Sequence, residues 1–74
     1  MWSEGDISVK DTICHYWVKH FEEPSEYGIE GGRISKLTIK VGDQFTANYD
    51  RGWDIEPEDE ATKAAYRTIV SRMN

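Results

Sequence analysis

Ile7 and Val9 alternate with Asp6, Ser8 and Lys10, the period of a strand with one face buried. Lys10-Asp11 reads as a turn. Residues 12–21, TICHYWVKHF, form the longest β-rich run. Ile13, His15, Trp17, Lys19 and Phe21 share one parity, and Cys14, Tyr16, Val18 and His20 share the other. Both parities carry large groups, so the pattern predicts a central strand contacted on both faces. In RISKLTIKV, residues 33–41, Leu37, Ile39 and Val41 alternate cleanly while Ile34 falls on the opposite parity. A bulge near Ser35-Lys36 restores the register. Gly42-Asp43 marks a tight turn. QFTANYD, residues 44–50, then places Phe45, Ala47 and Tyr49 on one face.

From residue 57 onward the period changes. Ala61, Ala65, Ile69 and Met73, with Tyr66 and Val70 alongside, form an apolar stripe at helical spacing. Pro57 suits a first helical position. Glu58, Asp59 and Glu60 then complement the positive end of the dipole, and Lys63, Arg67 and Arg72 follow toward the negative end. The element order is β-β-β-β-α. The pattern predicts a single small α+β domain over residues 1–74, an antiparallel four-stranded β-meander with a C-terminal helix packed on one face. The other face is at least partly open to solvent.

Two stretches interrupt the alternation. Residues 22–32 hold Pro24, which cannot donate to a ladder, and Gly28, Gly31 and Gly32, which permit positive φ. Within it Tyr27 and Ile29 share one parity and Glu26 and Glu30 the other. The expectation is a packed loop, with Tyr27 and Ile29 turned down, the glutamates facing water, and Arg33 anchoring the end to a carboxylate. The second stretch is NYDRGWD, residues 48–54. Gly52 is expected to turn the chain from strand to helix, and Trp53 to be largely buried under the helix start. Arg51 stands between Asp50 and Asp54 as a neutralising charge or as part of an exposed interface patch.

Composition narrows the classes. At 74 residues the chain buries only roughly 60% of its unfolded surface, so a core is hard to build. Three Trp, four Tyr and two Phe are the obvious resource, and most of them are expected in that core. No apolar run is long enough for a membrane span. The acidic start, MWSEGDISVKD, is unlike a signal peptide. One unpaired cysteine, Cys14, points to a reducing cytoplasm. Net charge is −5, with acids clustered at Glu22, Glu23, Glu26 and Glu30 and again at residues 54–60. With no basic stripe, direct nucleic-acid binding is not expected.

Candidate chemistry is sparse. Along a strand Cys14 and His20 lie about 20 Å apart, while Cys14 and His15 face opposite ways. Neither pair shares a zinc ion or a proton in that geometry. DIEPEDE, residues 54–60, lacks the glycine turn and distal glutamate of a calcium loop. The glycine-rich stretch lacks the Lys-Ser/Thr ending of a phosphate loop and is ringed by glutamates. The expectation is no catalytic residue, no metal and no cofactor.

SEYGIEGGRISKL, followed by NYDRGWDIEP, resembles a family of short uncharacterised bacterial and phage-associated proteins. The likeness covers most of the chain and implies a bacterial cytoplasmic or mobile-element origin. No activity comes with it, so no functional residue carries over. The residues themselves favour a non-enzymatic protein-binding or adaptor module, monomeric or weakly dimeric, with Glu26, Tyr27, Glu30, Arg33 and Arg51 as candidate contacts. The alternative is an acidic nucleic-acid mimic, such as a phage counter-defence protein occupying a basic groove. A small enzyme ranks third.

Overall fold

The computed structural model describes residues 1–74. Five strands follow in order: β1 (Trp2–Val9), β2 (Thr12–His20), β3 (Ile34–Val41), β4 (Gln44–Asp50) and β5 (Trp53–Ile55). A single 3-10 turn spans Ile29–Gly31, and α1 spans Glu60–Met73. The sheet is an antiparallel meander in the order β1-β2-β3-β4-β5. The class is the α+β meander expected, with one more strand. Trp53 pairs with Tyr49 and Ile55 with Asn48, so the stretch read as a joint extends the sheet.

Bulges decide which face each residue serves. Lys19 pairs with Lys36 but His20 pairs with Ile34, so Ser35 is the extra residue. That bulge returns Ile34 to the parity of Leu37 and Ile39, and all three are fully buried. A second bulge was not legible. Ile39 pairs with Ala47 but Lys40 pairs with Phe45, leaving Thr46 unpaired. Phe45 is therefore turned away from Ala47 and Tyr49 and is 55% exposed, contrary to the alternation reading. Thr46 turns toward α1 instead, where it accepts a hydrogen bond from the Thr62 hydroxyl at 2.8 Å. Thr62 is fully buried, and this bond satisfies it.

The core lies between α1 and one sheet face. It is built from Cys14, Val18, Leu37 and Ile39 of the sheet, Ala65 and Ile69 of the helix, and Ile29 from the connection. Each fully buried Leu or Ile contributes about 1.5–3 kcal/mol. The core is aliphatic, and Tyr49 is its only aromatic member. The expectation that the aromatics build it is therefore corrected. Trp2, Phe21, Tyr27, Phe45 and Trp53 are all exposed.

The helix begins later than Pro57 suggests. Asp59 is its N-cap, with extended backbone, and its carboxylate accepts from the Thr62 amide at 2.9 Å. That bond outcompetes the proline preference, because it satisfies an amide left free at every helix start. It also holds the Asp59 carboxyl below its usual range, helped by the Thr62 hydroxyl. No helix is long and apolar enough to cross a membrane.

Candidate functional site

The five residues expected at a contact site lie around one end of the sheet. Tyr27 is not packed down: its side chain is 60% exposed. What holds that segment is its backbone, since the Tyr27 carbonyl accepts from the buried Tyr49 hydroxyl at 2.9 Å. Ile29 is the residue that packs. Glu26 and Glu30 are exposed as expected. Arg33 does not reach a side-chain carboxylate. Its Nε donates to the Asn74 main-chain oxygen at 3.3 Å. The end of the loop is closed by Asn74, whose side chain donates to the Ile29 carbonyl and accepts from the Ile34 amide, both at 2.9 Å.

Left-handed backbone conformations occur in the same regions, at Glu30, Gly31 and Arg51. Gly31 takes φ +68°, as expected for this loop, and the neighbouring Glu30 takes φ 53°. Gly28 is extended, but a Cβ there would collide with the Gly32 carbonyl. At the β4–β5 corner Arg51, not Gly52, adopts the left-handed conformation, with φ 62°. Arg51 is exposed and makes no ion pair. Trp53 is 37% exposed rather than largely buried. It stands edge-on to Tyr49 and Tyr66, with ring centroids 5.1 and 5.5 Å away.

The larger assembly was not anticipated. The sheet face turned away from α1 is covered by nothing, and the register lays out its side chains in rows. Trp2, Lys19, Lys36 and Asp50 form one row; Glu4, Trp17, Thr38 and Asn48 the next; Asp6, His15, Lys40 and Phe45 the third. Trp2, Trp17, Thr38 and Phe45 line an open groove of about 490 Å³. Trp17 and Phe45 have ring centroids 6.5 Å apart. The alternation of β1 and β2 carried this face in the sequence. The bulge at Thr46, which brings Phe45 to it, had no sequence signal.

Three polar features bear on chemistry. His15 lies between two carboxylates, with Nδ1 2.5 Å from Asp6 and Nε2 2.7 Å from Glu4. Ionised carboxylates only accept, so this arrangement favours the imidazolium form, in which both ring nitrogens donate. Its pKa is accordingly raised, first by Asp6 and then by Glu4. In the imidazolium form His15 has no lone pair for general-base work. Cys14 is buried and its thiol points at the Ala61 carbonyl, 3.7 Å away. Burial, and then the Asp59 charge, push its pKa up, so it is a thiol rather than a nucleophilic thiolate. Ser3 and His20 hydrogen-bond at 3.0 Å. No third side chain orients that imidazole as a triad requires. No three His, Cys, Asp or Glu side chains converge as metal ligands would.

A second groove, of about 600 Å³, runs between β5 and the helix start. Asp54, Glu56, Glu58 and Asp59 line it together with Trp53 and Ile55.

No curated protein and no solved structure matches the chain. A family model matches residues 1–74, the full length, and the chain belongs to that family, which is described as "Domain of unknown function (DUF7678)".

Proposed function

We propose that the protein is a small non-enzymatic binding module whose partner is another protein, docked on the uncovered sheet face. One observation carries this: Trp2, Trp17 and Phe45 surround an open groove on the face that α1 leaves bare. A domain with so small a core gains from burying its aromatics. Exposed apolar groups clustered on one face mark interaction sites, and tryptophan is enriched among residues that dominate binding. A bacterial cytoplasm fits the free Cys14.

The test compares two exposed patches. Wild-type protein, a Trp2→Ser/Phe45→Ser variant and a Glu26→Lys/Glu30→Lys variant are used to capture partners from the source cell, and hydrogen exchange then maps the footprint. The expected result is capture lost with the face variant, kept with the loop variant, and protection over β1 to β4. Loss with the loop variant alone refutes the reading and moves the site to Glu26, Tyr27, Glu30, Arg33 and Arg51.

A second reading is an acidic mimic that fills a basic groove on its partner. It draws on the carboxylates of Asp54, Glu56, Glu58 and Asp59 along one groove. Such binding weakens steeply with salt, whereas an aromatic interface does not.

A further inference from the structure

The charges around the aromatic groove are not scattered. On β1 the bare face carries Glu4 and Asp6, both held to His15. On β4 and β5 it carries Asp50 and Asp54, held to Lys36 and Asn48. Between these margins run Lys19, Lys36 and Lys40 on the two middle strands. Lys36 is 3.8 Å from Asp50, an exposed pair of small energetic weight. No carboxylate lies within ion-pair distance of Lys19 or Lys40. Their ammonium groups rest 5.5 and 5.4 Å from the Phe21 and Phe45 ring centroids. Along the strand direction the order is lysines at Lys19 and Lys36, the groove floor at Trp17 and Thr38, then lysine again at Lys40.

Resting on the docking face proposed above, we infer that this strip takes an extended segment of a partner protein that carries an aromatic or apolar residue between two carboxylates. Lys36 and Lys40 are four positions apart on one strand, about 13 Å at 3.3 Å per residue. An extended segment lying along β2 and β3 has the same rise. Acids two residues before and two residues after its central side chain then meet the Lys19/Lys36 pair at one end and Lys40 at the other, while that side chain enters the groove between Trp2, Trp17 and Phe45. All three of its side chains fall on one side of the segment, because the period is two.

Other occupants fit worse. A second copy stacked face to face about a two-fold axis through the centre of the strip sets lysine against lysine. A two-fold axis along the strands places Lys19 over Lys36, and one across them places Lys36 over Lys40. Single-stranded nucleic acid would find stacking surfaces. Its continuous backbone charge, however, meets Glu4 and Asp6 at one margin and Asp50 and Asp54 at the other, on a chain of net charge −5. Only an occupant with anionic groups confined to the strip matches the pattern.

The test is an NMR titration of isotope-labelled full-length protein with three probes. One is a synthetic heptapeptide with glutamate at its second and sixth positions and tryptophan at its fourth. The second replaces both glutamates with lysine, and the third is oligothymidylate. The glutamate peptide is expected to shift the indole signals of Trp2 and Trp17 and the amides around Thr38 and Phe45. Lys19→Glu/Lys40→Glu is expected to weaken it about tenfold, equivalent to about 1.4 kcal/mol. The same variant should gain affinity for the lysine peptide, which shows that it is folded and that charge pairing is at work. The inference is overturned if wild-type protein binds the lysine peptide or oligothymidylate as well as the glutamate peptide, if no probe moves these signals, or if the shifts follow protein concentration alone. If the captured partner protects this face while the glutamate peptide has no advantage, the finer inference fails and the docking face stands.

Discussion

Asn74→Ala tests what holds the 22–32 connection in place. The Asn74 side chain makes two hydrogen bonds to main-chain groups of Ile29 and Ile34, both residues buried in the core. It also lies against Gly32. Truncation removes both bonds and leaves a carbonyl and an amide with little access to water. A typical bond contributes about 0.5–1.5 kcal/mol, and leaving a part-buried partner unmet moves the cost to the upper end. The expected loss is about 2 kcal/mol, a large share of the stability of a domain this size. At about 4–8 °C per kcal/mol, the melting temperature should fall by about 8–16 °C. Asn74→Asp separates the two bonds. It keeps the acceptor for Ile34 but sets a second oxygen against the Ile29 carbonyl, so it should cost as much as alanine at neutral pH. Circular dichroism gives the melting temperature, and hydrogen exchange at the Ile34 amide reports the local bond. A shift under about 2 °C with unchanged Ile34 protection would refute the reasoning and show that Ile29 burial alone secures the loop.

Further outcomes follow from particular geometry. Trp53→Ala should cost about 1–2 kcal/mol, below the 3–5 typical of a buried tryptophan, because only its edge contacts with Tyr49 and Tyr66 are lost; urea denaturation checks this, and a loss above about 3 would place Trp53 in the core. Lys10 and Gly42 occupy the same place in the two-residue turns of β1–β2 and β3–β4, with φ 56° and 59°. Lys10→Gly should therefore stabilise by about 1 kcal/mol, read as a higher melting temperature, and a decrease would show that Lys10 makes a compensating contact. The His15 pKa is raised above 6.5 in the folded protein, so its contribution is complete below pH 6.5 and is lost as pH rises through the folded value. Urea midpoints should decline across that range in the wild type and not in His15→Gln; parallel profiles would remove His15 from the account.

How much of this was legible depends on what each residue's signal was local to. Strand alternation and the helical stripe are local, and they placed β1 to β4 and α1. The Ser35 bulge was legible because Ile34 is apolar at the wrong parity, which advertises a repair. The Thr46 bulge was not, because Phe45, Ala47 and Tyr49 alternate without fault. The register shift at Thr46 reverses Phe45, and Thr46 is turned to the hydroxyl of Thr62, sixteen residues away. A contact across that distance leaves no trace in the period. β5 was missed for a related reason: Trp53 to Ile55 is a three-residue strand with every residue exposed, so no alternation exists to read. The start of α1 was misplaced because proline and aspartate both signal helix onsets, and the capping bond to Thr62 decides between them.

The same ambiguity explains why the aromatic face stayed hidden. Large aromatics in a short chain read as core, since a small domain needs apolar volume. Here Ile, Leu and Val supply that volume, and the aromatics are left for the surface. Where they are left matters for association. The sheet has two edges that could recruit another strand. β5 is only three residues long, and β1 carries the exposed carboxylates of Glu4 and Asp6; short edges and charged edge residues are how sheets resist edge-to-edge pairing. A strand adding beside β1 would set its own side chains against that carboxylate pair, which His15 already engages on the inner side. The bare face carries no such guard at its centre. Trp17 and Thr38 lie between lysines whose ammonium groups rest near aromatic rings, free to turn toward an incoming carboxylate. Edge pairing is thus discouraged where the backbone is exposed, and face docking is left open where the side chains can discriminate. On the proposed reading, a partner on this face would be read through side-chain chemistry rather than through main-chain hydrogen bonds.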